Sequence, residues 1–427
     1  MAPVTTKRTK SLRRVELNSA PLASSQVVRD LNRDIVLEIL RTRQPISRAD
    51  LARQSGLQPS TVSAIAEQLL REGWISEGAA ARTPRGRRPT LLSLDASMVI
   101  VAADIRPTHA SIAVIDLNGR VLARETVPLL RNAARAIHNL CIVMQRLIAQ
   151  FPDKSFEGVG LSLPGRVDPL SQQLLLAPNL PWQQFDIKGA IEEAIQLPVE
   201  MDNAANACLL SELWFGRMDG VRNAVLVTIS EGIGAAILAN GQLYTGQSGL
   251  AGEFGHVPLD PNGPPCGCGR HGCWEVFASS RATVDWYMAQ QPAHPGSAPQ
   301  PANQQPTIME LLNMAEDGDT DALAALERQA RMLGRGLCLI ATILSPQTIL
   351  LTGGLTAAWE RYRTIVETEL AEGIFGGQPP RLTVTSDVEL ARLRGAAALV
   401  LQRHSGIPRS RRARPAAKSR TRQTATS

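Results

Sequence analysis

The feature that most restricts the fold is a pattern that occurs twice. The run MVIVAADI starts a strand at residue 98, and SIAVIDLNGRVLARETVPL reads as two strands meeting at Asn118-Gly119. An Asn-Gly pair between apolar runs is a strong hairpin signal and favours a type I′ turn. A helix is expected near 132–150, then the buried strand GVGLSLPG. Later, NAVLVTISEGIGAAILANGQLYTG gives two strands meeting at Asn240-Gly241. Residues 308–346 are expected to be helical, TILLTGG is a strand ending in glycines, and 355–370 is helical again. Strands alternating with helices specify an α/β body. The repetition implies two related halves with a cleft between them, over residues 98–402. Residues 289–307, rich in Pro, Gln and Ala, read as a surface insertion.

Residues 26–97 carry a different signal. Leu31, Ile35, Val36, Ile39 and Leu40 form a helical stripe that ends before Pro45. Ser47 with Asp50 three residues on resembles a capping box before a second helix, and Gly56 closes that helix. Pro59 suits the first turn of a third helix, in which Val62, Ile65, Ala66, Leu69 and Leu70 face inward. Two short helices around a glycine turn are the helix-turn-helix arrangement. The second helix would present Gln58, Ser60, Thr61 and Ser63 to phosphates and base edges of operator DNA. Strand-like ISEG and TLLSL flank Arg82, Arg85, Arg87 and Arg88. That reads as a wing, whose Arg85, Arg87 and Arg88 can enter the minor groove.

Charge is unevenly placed. The chain of 427 residues has a formal charge of +6, with +5 in residues 1–14 and +8 in residues 403–427, so the rest is acidic at −7. Residues 1–25 and 403–427 are therefore expected to be disordered basic arms. No apolar run approaches the ~20 residues of a membrane helix, and no signal-peptide core follows the basic start, which points to a cytoplasmic protein. Cys141, Cys208 and Cys338 stand alone and suit burial as small apolar groups. Cys266, Cys268 and Cys273 cluster among glycines, with His256 and His271 nearby. Three thiolates and one imidazole are a tetrahedral set for structural Zn2+, which leaves no open position for catalysis.

The segment GEFGHVPLDPNGPPCGCGRHGCWE resembles the signature of the ROK family of repressors, open reading frames and sugar kinases. PGRVDP, APNLPW, VEMDNAANACLLSELWFG and SEGIGAAIL match in place, while LNRDIVLEIL and GRRPTLLSLD resemble its repressor branch. The resemblance implies a winged helix-turn-helix followed by a two-lobed actin/hexokinase-like body with a structural zinc loop. It places the ligand histidine at His256 rather than His271. It implies a sugar pocket at Gly165, Arg166, Asn203, Glu253, His256 and Glu275, with one imidazole nitrogen toward the metal and the other toward the sugar. It also implies a homodimer or homotetramer.

Three departures from the family's kinases bear on activity. The kinase general base falls at Ala204 in Asp202-Asn203-Ala204-Ala205-Asn206, and a methyl cannot accept a proton. Asp202 would serve only if the register slipped by two, and Asn203 and Asn206 fix it. The first phosphate loop is Asp104-Ile105-Arg106-Pro107-Thr108, without the glycines that admit a phosphate. The second is Ser230-Glu231-Gly232, with a carboxylate where phosphates would lie. The expected function is a sugar-responsive repressor of carbohydrate genes, not an enzyme. The alternatives are an ATP-dependent sugar kinase carrying a DNA-binding domain, and a ligand-independent DNA binder.

Overall fold

The computed structural model describes residues 25–80, 89–177, 180, 182, 185–216, 218, 220–291, 305–385 and 387–402. Arg82, Arg85, Arg87 and Arg88, residues 1–24 and 403–427 of the basic arms and residues 292–304 lie outside the described residues, while Ser25 already belongs to a helix. The described residues divide into two units, one holding 25–70 with 77–80 and 89–93, the other 71–76 and 94–402.

The first unit is built from α1 (Ser25–Arg43), β1 (Ile46–Ser47), α2 (Arg48–Ser55), α3 (Pro59–Arg71), β2 (Ile75–Ala80) and β3 (Thr90–Leu94). The inward stripe of α1 differs from the expected one. Val36, Leu37 and Leu40 are buried, but Leu31 is 57% exposed. At 3.6 residues per turn, Leu31 stands about 140° round the helix from Val36, so one core face cannot take both. The Ser47 hydroxyl accepts the Asp50 backbone N–H and donates to the Asp50 carboxylate at 2.6 Å. That return contact replaces the carboxylate-to-backbone bond of a full capping box. Gly56 ends α2 in the left-handed conformation, where a side chain would be strained. Val62, Ile65, Ala66 and Leu69 of α3 are buried, while Leu70 is half-buried. The strand β1, which local sequence did not announce, pairs antiparallel with β3 through Ile46 and Leu92, and the sheet runs β1-β3-β2.

The second unit repeats one topology. Its first half runs β4 (Met98–Ile105), β5 (His109–Asp116), β6 (Val121–Pro128), α4 (Ala133–Ala149) and β7 (Ser155–Leu163). A small ribbon follows, β8 (Arg166–Val167) and β9 (Leu174–Leu176), then α5 (Ile187–Ile195), β10 (Val199–Asn203) and α6 (Ala204–Phe215). The second half runs β11 (Ala224–Ile229), β12 (Ile233–Ala239), β13 (Gln242–Tyr244), α7 (Glu275–Ala278), α8 (Ser280–Gln290), α9 (Ile308–Glu316) and α10 (Thr320–Leu344). It closes with β14 (Thr348–Gly353), α11 (Trp359–Glu372), β15 (Arg381–Val384) and α12 (Val388–Gln402). The sheets are ordered β10-β7-β4-β5-β6 and β13-β12-β11-β14-β15. Each is a three-stranded meander extended by two parallel strands, so the halves match strand for strand.

The two hairpin turns are not alike. Asn240 and Gly241 both have positive φ, and Ala239 pairs with Gln242, as a type I′ turn requires. At the first hairpin only Gly119 has positive φ. There the Asp116 carboxylate accepts the backbone N–H groups of Asn118 and Arg120, both at 2.9 Å. That side-chain turn holds Asn118 out of the left-handed region and yields a longer loop in which glycine alone reverses.

Helices α6 and α12 pack on each other, α12 also against β4 and β7, and α6 against β11 and β12. They therefore lie between the two sheets. Close approach depends on small residues. A Cβ at Gly160 on β7 would meet the Ala396 carbonyl oxygen at 1.8 Å, and one at Gly395 would meet that of Ala207 at 2.1 Å. The C-terminal ends of β4, β7, β10, β11 and β14 open beside these helices, where α/β folds bind ligands.

Candidate functional site

Three groups of side chains carry chemistry. The first lies in the helix-turn-helix. Gln58 and Ser60 are exposed at the start of α3, and Thr61 and Ser63 are half-buried beside them. The buried stripe of α3 leaves this end open, as a helix entering a major groove requires. The other expected DNA contacts, Arg85, Arg87 and Arg88, fall outside the described residues.

The second group forms around a loop of short turns. A 3-10 turn, Glu253–His256, precedes it and α7 follows it. Gly272 adopts φ +61°, and a Cβ there would meet the Asp260 carbonyl oxygen at 1.5 Å, so only glycine lets the loop close. One ligand atom from each of His256, Cys266, Cys268 and Cys273 lies within 4.8 Å of the others. The Cys268 and Cys273 sulfurs are 3.6 Å apart, as are Cys266 Sγ and His256 Nδ1. These four could hold a metal ion. His271 is exposed and outside the cluster. Burial pushes the Cys266 and Cys273 thiols up. Burial acts most on Cys268 as well, but hydrogen bonds from Arg270, Cys266 and Cys273 together outweigh it and bring that thiol down to about 6. The loop is anchored by Trp274, fully buried, whose Nε1 donates to the Met332 carbonyl at 2.9 Å.

The third group adjoins the second. His256 Nδ1 stands 3.3 Å from Glu275 Oε1, and its Nε2 stands 3.9 Å from Glu253 Oε2. Burial raises the Glu253 carboxyl, the charges of His256 and Arg166 pull it down, and Glu275 adds to the rise. Arg166 is thus part of the same electrostatic neighbourhood. Its Nε is buried without a hydrogen-bond partner, an expensive state for a donor. Gly165 has φ +96°, and a Cβ there would lie 2.1 Å from the Leu176 carbonyl oxygen. It therefore lets the chain turn tightly into Arg166. Asn203 is engaged separately, capping α6 by accepting the Asn206 N–H at 2.8 Å. Two carboxylates, an imidazole and a guanidinium supply the paired donors and acceptors that a hydroxyl-rich ligand needs.

The loop after β4, Asp104-Ile105-Arg106-Pro107-Thr108, carries no glycine, whereas Gly232 follows β11 and Gly353 ends β14. Ala204 is the first residue of α6. Asp104, fully buried at the end of β4, accepts the Ser162 hydroxyl at 3.1 Å and the Arg106 Nε at 2.8 Å, and Arg392 Nη1 of α12 stands 3.6 Å away. Arg392 Nη2 reaches the Ser230 hydroxyl at 3.5 Å. Glu231 is exposed. Arg392 sits among alanines and leucines with no local motif to mark it, so sequence reasoning missed it.

A helix-turn-helix joined to a duplicated α/β body with a polar cleft defines a DNA-binding regulator that carries its own ligand-binding domain. Residues 100–403 match the model of the ROK family, and residues 35–77 match that of the MarR family. The chain belongs to the ROK family, in its transcriptional-regulator branch. It is 29% identical over 358 residues to the xylose repressor of Bacillus subtilis strain 168, covering 83% of this chain and 90% of that one. It is 28% identical over 343 residues to the DNA-binding transcriptional dual regulator NagC of Escherichia coli K12, covering 79% of this chain and 84% of that one. Among solved structures, a ROK family transcriptional regulator described as a homolog of the E. coli MLC protein superposes with a TM-score of 0.75 at 26% identity, over 89% of this chain and 98% of that one. A ROK family glucokinase from Streptomyces griseus, in complex with glucose and AMPPNP, gives 0.63 at 28% identity, over 71% and 99%. Among the described residues, no helix is long and apolar enough to cross a membrane.

Proposed function

We propose that this protein is a sugar-responsive transcriptional repressor of carbohydrate genes whose body binds a sugar without phosphorylating it. The carrying observation is the union on one chain of a helix-turn-helix with a ROK body. The names of its relatives, a xylose repressor and NagC among them, support the reading. Gln58, Ser60, Thr61 and Ser63 would contact operator DNA, with Arg85, Arg87 and Arg88 on the wing. Gly165, Arg166, Asn203, Glu253, His256 and Glu275 would hold the sugar. Ala204 in the base position, Arg106-Pro107 in place of two glycines and Glu231 in the second loop favour binding without phosphoryl transfer. Two copies would span paired operator half-sites.

The metal fits zinc. A tetrahedral Zn2+ with thiolates at about 2.3 Å sets sulfurs about 3.8 Å apart, and Cys268 and Cys273 are separated by 3.6 Å. All four positions are protein ligands, so the ion would fix the loop rather than activate water. It would hold Nδ1 of His256 and leave Nε2 toward the sugar.

A mobility-shift assay with the full chain on its own upstream region tests the function, with xylose, glucose and N-acetylglucosamine added in turn. The expected result is sequence-preferring binding that one sugar changes. Binding indifferent to sequence and to every sugar would contradict the proposal. In Glu275→Gln, loss of a charged acceptor at about 1.5–3 kcal/mol should weaken the sugar response by roughly 10–100-fold while DNA binding without sugar persists. A coupled ADP-release assay addresses the kinase reading, which the likeness to the glucokinase keeps in view. Turnover with any of these sugars would establish it.

A further inference from the structure

Arg106 stands in the glycine-free loop after β4, and Arg392 of α12 meets its carboxylate partner Asp104 beside the loop Ser230-Glu231-Gly232, whose Glu231 is exposed. Arg392 is only 7% exposed, yet its Nε is buried with no hydrogen-bond partner. Arg106 Nη2 is buried in the same unpartnered state. Both guanidinium groups converge on one carboxylate, Asp104, whose Oδ1 also takes the Ser162 hydroxyl. Among the described residues no other carboxylate pairs with either arginine, so one positive charge is left uncompensated. Burying a charged donor unpaired is costly unless a ligand completes it.

We infer that Arg106, Arg392 and Ser230 form an anion subsite that receives the phosphate group of a phosphorylated sugar held at the neighbouring polar site. Arginine forks match phosphate oxygens with parallel N–H donors. Ser230 Oγ, 3.5 Å from Arg392 Nη2, adds a hydroxyl from the second half of the body. The register supports one ligand spanning both places. Asp104 and Asp202 flank Ser162 in adjacent parallel strands. At about 4.8 Å per strand this separates Asp104 from the start of α6, next to Asn203, by about 10 Å. A sugar monophosphate can bridge that distance. Arg392 contacts Asp104 of the first half and Ser230 of the second. A phosphate bound there would therefore favour one arrangement of the two halves. The inference deepens the sugar-binding reading and rests on it.

The test uses the full chain and inorganic phosphate as the probe, at ionic strength matched with chloride. Calorimetry compares wild type with Arg106→Gln, in which Asp104 keeps Ser162 and Arg392 as partners, and with Arg392→Lys, which keeps the charge and loses the fork. Circular dichroism confirms folding. Phosphate affinity is expected to fall about tenfold or more in both variants. Glucose, xylose and N-acetylglucosamine are then each titrated beside their monophosphates. The phosphorylated form of the responding sugar should bind at least about tenfold tighter than the neutral form in wild type, and Arg106→Gln should erase that advantage without weakening the neutral sugar. Phosphate binding unchanged in both variants would mean an adventitious ion only, held by the arginine-rich tail, and would overturn the inference. So would displacement of phosphate by ADP but by no sugar monophosphate, or no phosphate binding in wild type. A neutral sugar that binds while phosphate does not would defeat this inference alone and leave the sugar-sensing function standing.

Discussion

Exchanging Cys273 for serine is expected to strip the metal from the body and lower its melting temperature by roughly 10 °C. Cys273 is fully buried, and its sulfur lies among three other ligand atoms within 4.8 Å. Serine is a poor zinc ligand, and three remaining donors would hold the ion weakly. Structural zinc contributes about 10–16 kcal/mol in peptides that fold around it. Here the body has its own cores, so the loss is confined to the loop and amounts to several kcal/mol. At ~2–4 °C per kcal/mol for a large domain, this gives the stated shift. On the proposed assignment His256 would join the metal to Glu253 and Glu275, which stand against its two ring nitrogens, so sugar binding should be lost with the metal. Atomic absorption should find about one zinc per chain in wild type and none in the variant. Chelation of wild type should reproduce the melting shift. A variant that keeps full zinc and full stability would refute the metal assignment.

Placing alanine at Gly336 should be nearly as damaging, although this position is far along the chain from the site. Gly336 lies on α10, and a Cβ there would come within 1.9 Å of Trp274 Cε2 and 2.1 Å of its Nε1. Trp274 is fully buried and tied to Met332 by its indole N–H, so it cannot swing aside without losing that bond. Overpacking of this kind costs about 1–3 kcal/mol or more. The displacement also has a functional consequence, because Trp274 stands between Cys273 and Glu275 in the chain. Moving the indole would shift Cys273, the proposed metal ligand, and Glu275, the proposed sugar contact, together. Sugar affinity should fall by roughly tenfold or more, and denaturant unfolding should show a lower midpoint with an unchanged slope. Unaltered sugar affinity would show that the loop holds its shape without this anchor.

Much of the fold was legible because its signals are local. The Asn240-Gly241 turn, the strand GVGLSLPG and the helix opened by Pro59 all form where their own residues dictate. The first hairpin was misread because an aspartate two residues earlier competes for the backbone N–H groups, and an Asn-Gly pair cannot reveal that. Leu31 was misplaced for a related reason, since an apolar stripe does not say which of its members meets a neighbouring element. The strand β1 depends on a partner more than forty residues away.

The same division runs through the site. The sequence alone picked out Cys266, Cys268 and Cys273, and the family resemblance chose His256 over His271, the four residues that the fold brings together as a group able to hold a metal ion being His256 and these three cysteines. The sequence also puts Ala204 where the family resemblance implies a kinase's base, and Pro107 in the loop that the resemblance aligns with the kinases' first phosphate loop. Only the tertiary structure brought Glu253 and Glu275 to opposite nitrogens of His256, and only it placed Arg392 against Asp104. Those two residues are separated by nearly three hundred positions and share no motif. What joins them is the packing of α12 on β4 and β7, set by the absence of a side chain at Gly160. A motif records which groups are available. Which of them meet depends on how closely distant backbones can approach, and that is decided by packing.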